Sequence, residues 1–213
     1  MKRMYNCIIK RILDLFFSIL FLLLASPLLL ISALAVKLSS KGGAIFKQVR
    51  LGYKGKPFKM YKFRSMRIET PKNLATRDLD NPDYYITKVG RFLRNTSLDE
   101  LPQLINIIKG DMSFIGPRPV VLQEEELVEK RLQNGIDKVR PGISGWAQIH
   151  GRDKVSIDEK VRLDKYYVDN ISIGLDIKIF FKTLAYVLKS KDIIEGPVKQ
   201  EKTVLHPNPK IAD

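Results

Sequence analysis

Between positions 12 and 36 only Asp14, Ser18, Ser26, Pro27 and Ser32 interrupt a run that is otherwise almost wholly apolar. A straight helix of about 25 residues measures about 37 Å, enough for a hydrocarbon core of about 30 Å. Pro27 removes one backbone hydrogen bond and presses on the carbonyl of Leu23, so the helix is expected to bend or break at Ser26-Pro27. The piece before the break reaches about 21 Å and is too short to cross alone. Beyond Gly42-Gly43, strand-like runs at 44–50 and 57–66, joined by Gly52-Tyr53-Lys54-Gly55-Lys56, predict an antiparallel hairpin. Helices are predicted over 102–109, closed by Gly110, over 122–134, ended by Gly135, and over 155–168 and 175–188. The polar stretch 69–83 reads as a loop and the proline-bearing tail from 195 as extended chain. Residues 140–148 hold too many breakers for regular structure and read as a packed loop.

Charge sharpens this picture. Lys and Arg number 37 against 23 Asp and Glu, a net +14 spread along 213 residues. Such a balance suits phosphorylated substrates, anionic lipid or nucleic acid. Lys2, Arg3, Lys10 and Arg11 precede the apolar run, and Lys37, Lys41, Lys47 and Arg50 follow it, so both flanks carry the basic signature of the cytoplasmic side. A re-entrant helix that bends and returns satisfies both flanks; a kinked spanning helix leaves one outside. A cleaved signal peptide ending near Ala33-Leu34-Ala35 is the third reading. Asp14, one turn from Lys10 and Arg11, is expected to pair with them. The single cysteine, Cys7, rules out an internal disulfide framework, and the two histidines, His150 and His206, are too far apart in sequence to favour a histidine-rich metal site. A hard cation held by carboxylate and phosphate oxygens remains.

The candidate chemistry centres on Ser97-Leu98-Asp99-Glu100-Leu101-Pro102, where two carboxylates stand side by side at or just before a helix N-terminus. The backbone dipole there favours ionised carboxylates, and an ionised Asp is a competent nucleophile toward phosphorus. The same letters also spell a capping box, with Glu100 reaching back to Ser97. Arg91 and Arg94 lie within about two turns of Asp99, close enough to draw in a phosphate. Pro117 and Pro119 fix the backbone on both sides of Arg118, whose guanidinium fork suits a diphosphate. Lys59, Lys62 and Arg64 interleave with Phe58, Tyr61 and Phe63, a pattern that fits a strand facing lipid phosphates, a solvated face or a nucleic-acid surface. Trp146 and Gln148 are placed to meet a base or sugar ring, with core packing as the alternative for Trp146. Glu124, Glu125, Glu126 and Glu129 form a solvated helix face. The helix over 175–188 divides its apolar side between core and headgroups, with Lys178, Lys182 and Lys189 toward anionic lipid.

Taken together these blocks resemble the small monotopic phosphoglycosyl transferases of the bacterial sugar transferase family, which start surface-glycan assembly on a polyprenol phosphate. The resemblance rests on Lys10-Arg11 with Asp14, Ser26-Pro27, Tyr61-Lys62-Phe63-Arg64-Ser65-Met66, Ser97-Leu98-Asp99-Glu100-Leu101, Lys109-Gly110-Asp111-Met112-Ser113, Gly116-Pro117-Arg118-Pro119 and Arg140-Pro141-Gly142-Ile143-Ser144-Gly145-Trp146-Ala147-Gln148. It implies Asp99 as nucleophile, Glu100 as its partner and Mg²⁺ ligand, and Arg94, Arg118 and Lys62 as substrate phosphate-binding residues. Glu100 rather than Asp111 as the metal ligand is not settled by the residues themselves. A UDP-sugar, polyprenol phosphate and membrane lipid are the implied partners; a homo-oligomer and downstream glycosyltransferases are further candidates, and nucleic acid is not expected. Tyr84-Tyr85 and Ser156-Ile157 depart from the family pattern and leave the sugar open. The expected fold class is α/β of the α+β kind, a small antiparallel sheet with several amphipathic helices and an N-terminal re-entrant membrane helix. The expected division is an anchor at 1–40, a cytoplasmic catalytic domain at 41–195 and a tail at 196–213. Rival functions are a non-catalytic module binding anionic lipid or nucleic acid, and a membrane phosphatase working through an aspartyl-phosphate.

Overall fold

The computed structural model describes residues 4–70, 82–151 and 155–189. The expected tail at 196–213, and most of the expected loop at 69–83, lie outside them. After a short π-helical turn, Tyr5–Ile9, the apolar run forms two helices, α1 (Lys10–Leu24) and α2 (Ser26–Ser39), bent by 64°. Pro27 sits in the first turn of α2, where a missing N–H costs nothing, and Ser26 Oγ bonds to the carbonyl of Leu23 at 2.8 Å. No single helix among the described residues is long and apolar enough to cross a membrane; the bent pair together has the length and composition.

The polar residues of α1 face inward. Lys10, Asp14 and Ser18, spaced by four, are all buried, while Ile12, Phe16, Leu23 and Leu24 are exposed. Here the structure corrects the expected pairing of Asp14 with Lys10 and Arg11. Asp14 Oδ1 instead accepts from Ser113 Oγ and the Phe114 N–H, both at 3.1 Å. Lys10 Nζ binds Asp176 Oδ2 at 2.5 Å, and Arg11 donates to the carbonyls of Ile107 and Ile108 at 2.5 and 2.9 Å. Lys10, Arg11 and Asp14 each bond to a different element of the domain, while Ser18 bonds back to the Leu15 carbonyl of its own helix at 3.1 Å.

Strands β1 (Ile45–Leu51) and β2 (Pro57–Phe63) form the expected antiparallel hairpin, with Phe46 opposite Lys62. Met60 of β2 packs with Leu104, Ile107 and Met112, joining the hairpin to α5 (Gln103–Lys109). Phe63 packs with Val36 of α2 and Leu93 of α4 (Lys88–Asn95), which follows the single turn α3 (Pro82–Tyr85). The Arg64 guanidinium, interleaved with aromatics in sequence, turns inward to bond the carbonyls of Lys41 and Ser40 at the end of α2.

A second, parallel sheet adds to the expected small antiparallel one. Ser113–Ile115 (β3) pairs in parallel with Gly142–Ser144 (β4), inside the stretch read as irregular. Glycine is the reason: a Cβ at Gly116 would lie 2.3 Å from the Arg140 carbonyl, and one at Gly142 would lie 2.1 Å from the Gly116 nitrogen. The breakers that argue against a strand are what let these backbones approach. Helix α6 is shorter than expected, Glu125–Gln133, because Glu124 has non-helical backbone angles (φ −81°, ψ 59°) and closes a turn onto the Val121 carbonyl; just before it the Val120 carbonyl accepts from the Leu51 N–H of β1. Helices α7 (Ile157–Asn170) and α8 (Ile173–Lys189) complete the described residues. They pack Tyr167, Ile171 and Ile179 onto Ile115, Val139, Ile149 and Tyr5.

Candidate active site

Asp99 and Glu100 lie on a 3₁₀ turn, Leu98–Glu100, that starts from Ser97 in the left-handed region at φ 56°. A non-glycine residue there costs of order 1–2 kcal/mol, a local strain of the kind found at functional positions. Ser97 makes no side-chain cap, so the capping-box reading is not realised. Glu100 turns instead to the hairpin and to the turn after β3. Lys62 Nζ binds Glu100 Oε1 at 2.8 Å, and Arg118 donates to the same oxygen at 3.4 Å. Burial works to raise the Glu100 pKa, but the charges and hydrogen bonds of Lys62 and Arg118 outweigh it and hold the carboxyl at about 2. Asp99 itself is 8 % exposed.

The surrounding elements fix these groups. Asn106, fully buried on α5, accepts from the Tyr61 N–H at 3.0 Å and donates to the Lys59 carbonyl at 2.7 Å, gripping the edge of β2 on both sides of Met60. That sets Lys62 against the turn that carries Glu100. The Arg118 carbonyl accepts from Arg131 NH1 at 2.6 Å, and Arg131 is ion-paired with Asp164 in the buried space between α6 and α7. Arg94 donates from Nε to Ser65 Oγ at 2.8 Å. This approach needs Gly90, since a Cβ there would meet the Ser65 carbonyl at 1.9 Å.

Of the residues expected from sequence, Glu100, Lys62 and Arg118 come together, Asp99 stands beside them, and Arg94 reaches the end of β2 from α4. Trp146 and Gln148 belong to other contacts. Trp146 stacks on Tyr166 at 5.0 Å between centroids, with His150 at 4.0 Å and the ammonium groups of Lys178 and Lys182 at 5.4 and 6.0 Å. Gln148 donates to the Ile143 carbonyl at 3.2 Å. Asp111 lies past the far end of α5, bonded to Asn106 and facing Lys109, so Glu100 and Asp111 do not share a site. Among the described residues no group of three or more His, Cys, Asp or Glu could hold a metal ion. A cation here fits only the Mg²⁺ pattern of one or two carboxylates completed by substrate phosphates.

Asn106, Gln103 and Arg131 carry no expectation from the sequence, and Arg50 only that of a basic flank. Gln103 and Asn106 are polar amides three apart in an otherwise apolar helix, and Arg131 falls four residues after Leu127 on a buried stripe. Those spacings were the available signal.

Residues 5–190 match the family described as bacterial sugar transferase. The chain is 45% identical over 186 residues to the UDP-glucose:undecaprenyl-phosphate glucose-1-phosphate transferase of Escherichia coli K12, covering 84% of this chain and 40% of that one. It is 43% identical over 186 residues to the uncharacterized sugar transferase EpsL of Bacillus subtilis 168, covering 87% and 90%. It is 41% identical over 199 residues to the undecaprenyl-phosphate galactose phosphotransferase of Salmonella typhimurium LT2, covering 85% and 40%. The matched region thus spans about two fifths of the two relatives named for their substrates.

Proposed function

The chain belongs to the bacterial sugar transferase family, and from that premise we propose that it moves a sugar 1-phosphate from a UDP-sugar to polyprenol phosphate. Asp99 attacks the phosphorus that bears the sugar, the bond to the bridging oxygen breaks, and UMP leaves with the electron pair. An oxygen of polyprenol phosphate then attacks the same phosphorus and displaces Asp99, giving a polyprenyl-diphosphate-sugar. A covalent intermediate of this kind predicts ping-pong kinetics. Lys62, Arg118 and Arg94 are assigned to the phosphates, where positioned cations offset charge that develops in the transition state. Glu100 uses one oxygen for Lys62 and Arg118; its carboxylate would hold Mg²⁺, which would supply neutralising charge to the departing UMP.

We further propose that the bent α1–α2 pair enters and leaves the same cytoplasmic leaflet as a re-entrant anchor. The 64° bend, the inward polar stripe and the outward apolar face support this reading. An anchored site is what the reaction needs, since one substrate is soluble and the other lives in the bilayer.

The observation that carries the catalytic assignment is a buried aspartate on a strained turn whose next residue gathers two cations. Asp99→Asn should abolish UMP release from UDP-sugars in the presence of polyprenol phosphate while leaving lipid association intact. Wild-type protein given donor alone should gain the mass of one phosphosugar on Asp99; turnover without that adduct would overturn the two-step route.

A further inference from the structure

Beside the Glu100 cluster, on the hairpin side, lies a small cleft lined by Arg50, Met60, Gln103, Arg118 and Pro119. Its polar side chains are the guanidinium groups of Arg50 and Arg118 and the amide of Gln103. Gln103 is 2 % exposed, and its Nε2 finds no hydrogen-bond partner among the described residues; Arg50 Nε is likewise buried without one. An unmet buried donor costs about 1–3 kcal/mol, so two of them on residues that line one cleft call for an acceptor. The charge is of one sign as well. Burial and the neighbouring charge of Arg118 pull the Arg50 pKa down to about 10, against the raising effect of Glu124 and Glu100, so Arg50 is still cationic at neutral pH.

The walls are held from behind. Arg50 NH1 donates to the Pro119 carbonyl at 3.2 Å and NH2 to Gln48 Oε1 at 2.6 Å, and Arg131 holds the Arg118 carbonyl. The Arg50 guanidinium held by these bonds, the Arg118 guanidinium on Glu100 and the unmet N–H₂ of Gln103 together offer donors to an oxyanion.

We propose that this cleft seats a phosphate of the nucleotide donor, with Gln103 Nε2 and Arg50 donating hydrogen bonds to its oxygens while Arg118 bridges it to the Glu100 cluster. This rests on the donor being a nucleoside diphosphate sugar. The acceptor's phosphate has the same oxygens, but a polyprenol needs an apolar approach. The cleft's apolar side chains are Met60 and Pro119, whereas most of the exposed large apolar residues lie on α1, α2 and α8. Gln103 therefore binds substrate, although neither its position in an apolar helix nor its burial marks it as a surface contact.

The test is calorimetric titration of the full chain, in lipid nanodiscs, with UDP, UMP and uridine, using Gln103→Met and Gln103→Glu. Losing one hydrogen bond to a charged oxygen should weaken UDP by about 10- to 100-fold in Gln103→Met. Gln103→Glu, which sets a carboxylate against the phosphate, should weaken it further. Uridine should bind all three proteins alike. The thermal midpoint of Gln103→Met should not fall, because an unmet donor has been replaced by an apolar group of similar size. Unchanged UDP affinity overturns the proposal, as does a parallel loss for UDP and uridine together with a lower thermal midpoint. A rise confined to the KM for polyprenol phosphate moves the cleft to the acceptor and overturns the donor assignment. Phosphate-dependent UDP binding lost in both variants, in a wild-type chain that transfers no sugar phosphate, leaves the cleft standing and sinks the catalytic reading instead.

Discussion

At residue scale the decisive balance is at Glu100. Its side chain is 19 % exposed, so burial alone would raise its pKa, and it is Lys62 and Arg118 that bring it from an ordinary 4.5 to about 2. A carboxyl with a lower pKa folded than unfolded stabilises the fold above the unfolded value and loses that contribution as pH falls toward the folded one. For wild-type protein that window runs from about pH 4.5 down to about pH 2. Lys62→Met removes the nearer cation and leaves burial less opposed, so the lower edge of the window moves up and Glu100 contributes less. The acid limb of the pH–rate profile should rise by about 1–2 pH units, and the variant should unfold at higher pH than wild type in an acid titration. An unmoved acid limb would mean that Glu100 is not the group titrating. Asp99, Glu100 and Arg118 stood out in the sequence as adjacent carboxylates and a proline-flanked arginine, whereas the strand pattern around Lys62 left several readings open and only the family resemblance gave it a phosphate role. Gln103 and Arg50 did not stand out, because an uncharged amide in a helix and an arginine ending a strand look like surface until packing closes over them.

At the scale of elements, two buried polar residues do what backbone pairing does elsewhere. Asn106 bonds the edge of β2 as a neighbouring strand would, and without it the Tyr61 N–H and the Lys59 carbonyl face an apolar helix. Asn106→Leu should cost about 2–4 kcal/mol, read as a lower urea midpoint at unchanged slope, with kcat falling as Lys62 drifts from Glu100. Arg131 ties α6 to α7 through Asp164 and to the proline-flanked turn through the Arg118 carbonyl. Arg131→Met strands a buried carboxylate and should cost about 3–5 kcal/mol, whereas Arg131→Met with Asp164→Leu should recover most of that stability. The double variant should still show a raised KM for the donor, since the Arg118 turn stays unpinned. Antiparallel pairing, the α1–α2 break and most helices could be read from local pattern. The parallel β3–β4 pair could not, because its partners are about 29 residues apart and its glycines signal loop until a second backbone fills the space beside them.

For the whole molecule the question is why α1 hides its charges and shows its hydrocarbon. The stripe Lys10, Asp14, Ser18 was visible as spacing, but its purpose depends on Asp176, Ser113 and Phe114, far along the chain, so no local reading could supply it. Tyr5 and Tyr167 both donate to Asp176 at 2.7 Å, so the carboxylate that receives Lys10 also joins the chain's beginning to α7 and α8. An exposed apolar face on a helix so fixed fits a lipid surrounding, and that can be measured without disturbing the domain. Ile12 and Phe16 are 61 % and 60 % exposed, so Ile12→Ser with Phe16→Ser removes little internal packing. Each side chain withdrawn from lipid costs about 1.5–3 kcal/mol, so partition onto anionic vesicles should fall by 100-fold or more while the thermal midpoint in detergent holds. The re-entrant path has its own test. Met4→Cys and Gly43→Cys, each with Cys7→Ser, place thiols at the two flanks of the anchor; Gly43 has no atom within 4 Å of an added Cβ. In intact cells an impermeant maleimide should reach neither, and in inverted membrane vesicles it should reach both. Labelling of one from each side would make α1–α2 a kinked span and would separate the Asp176 and Ser113 contacts of its N-terminal half from the leaflet that holds Arg64 at the other end.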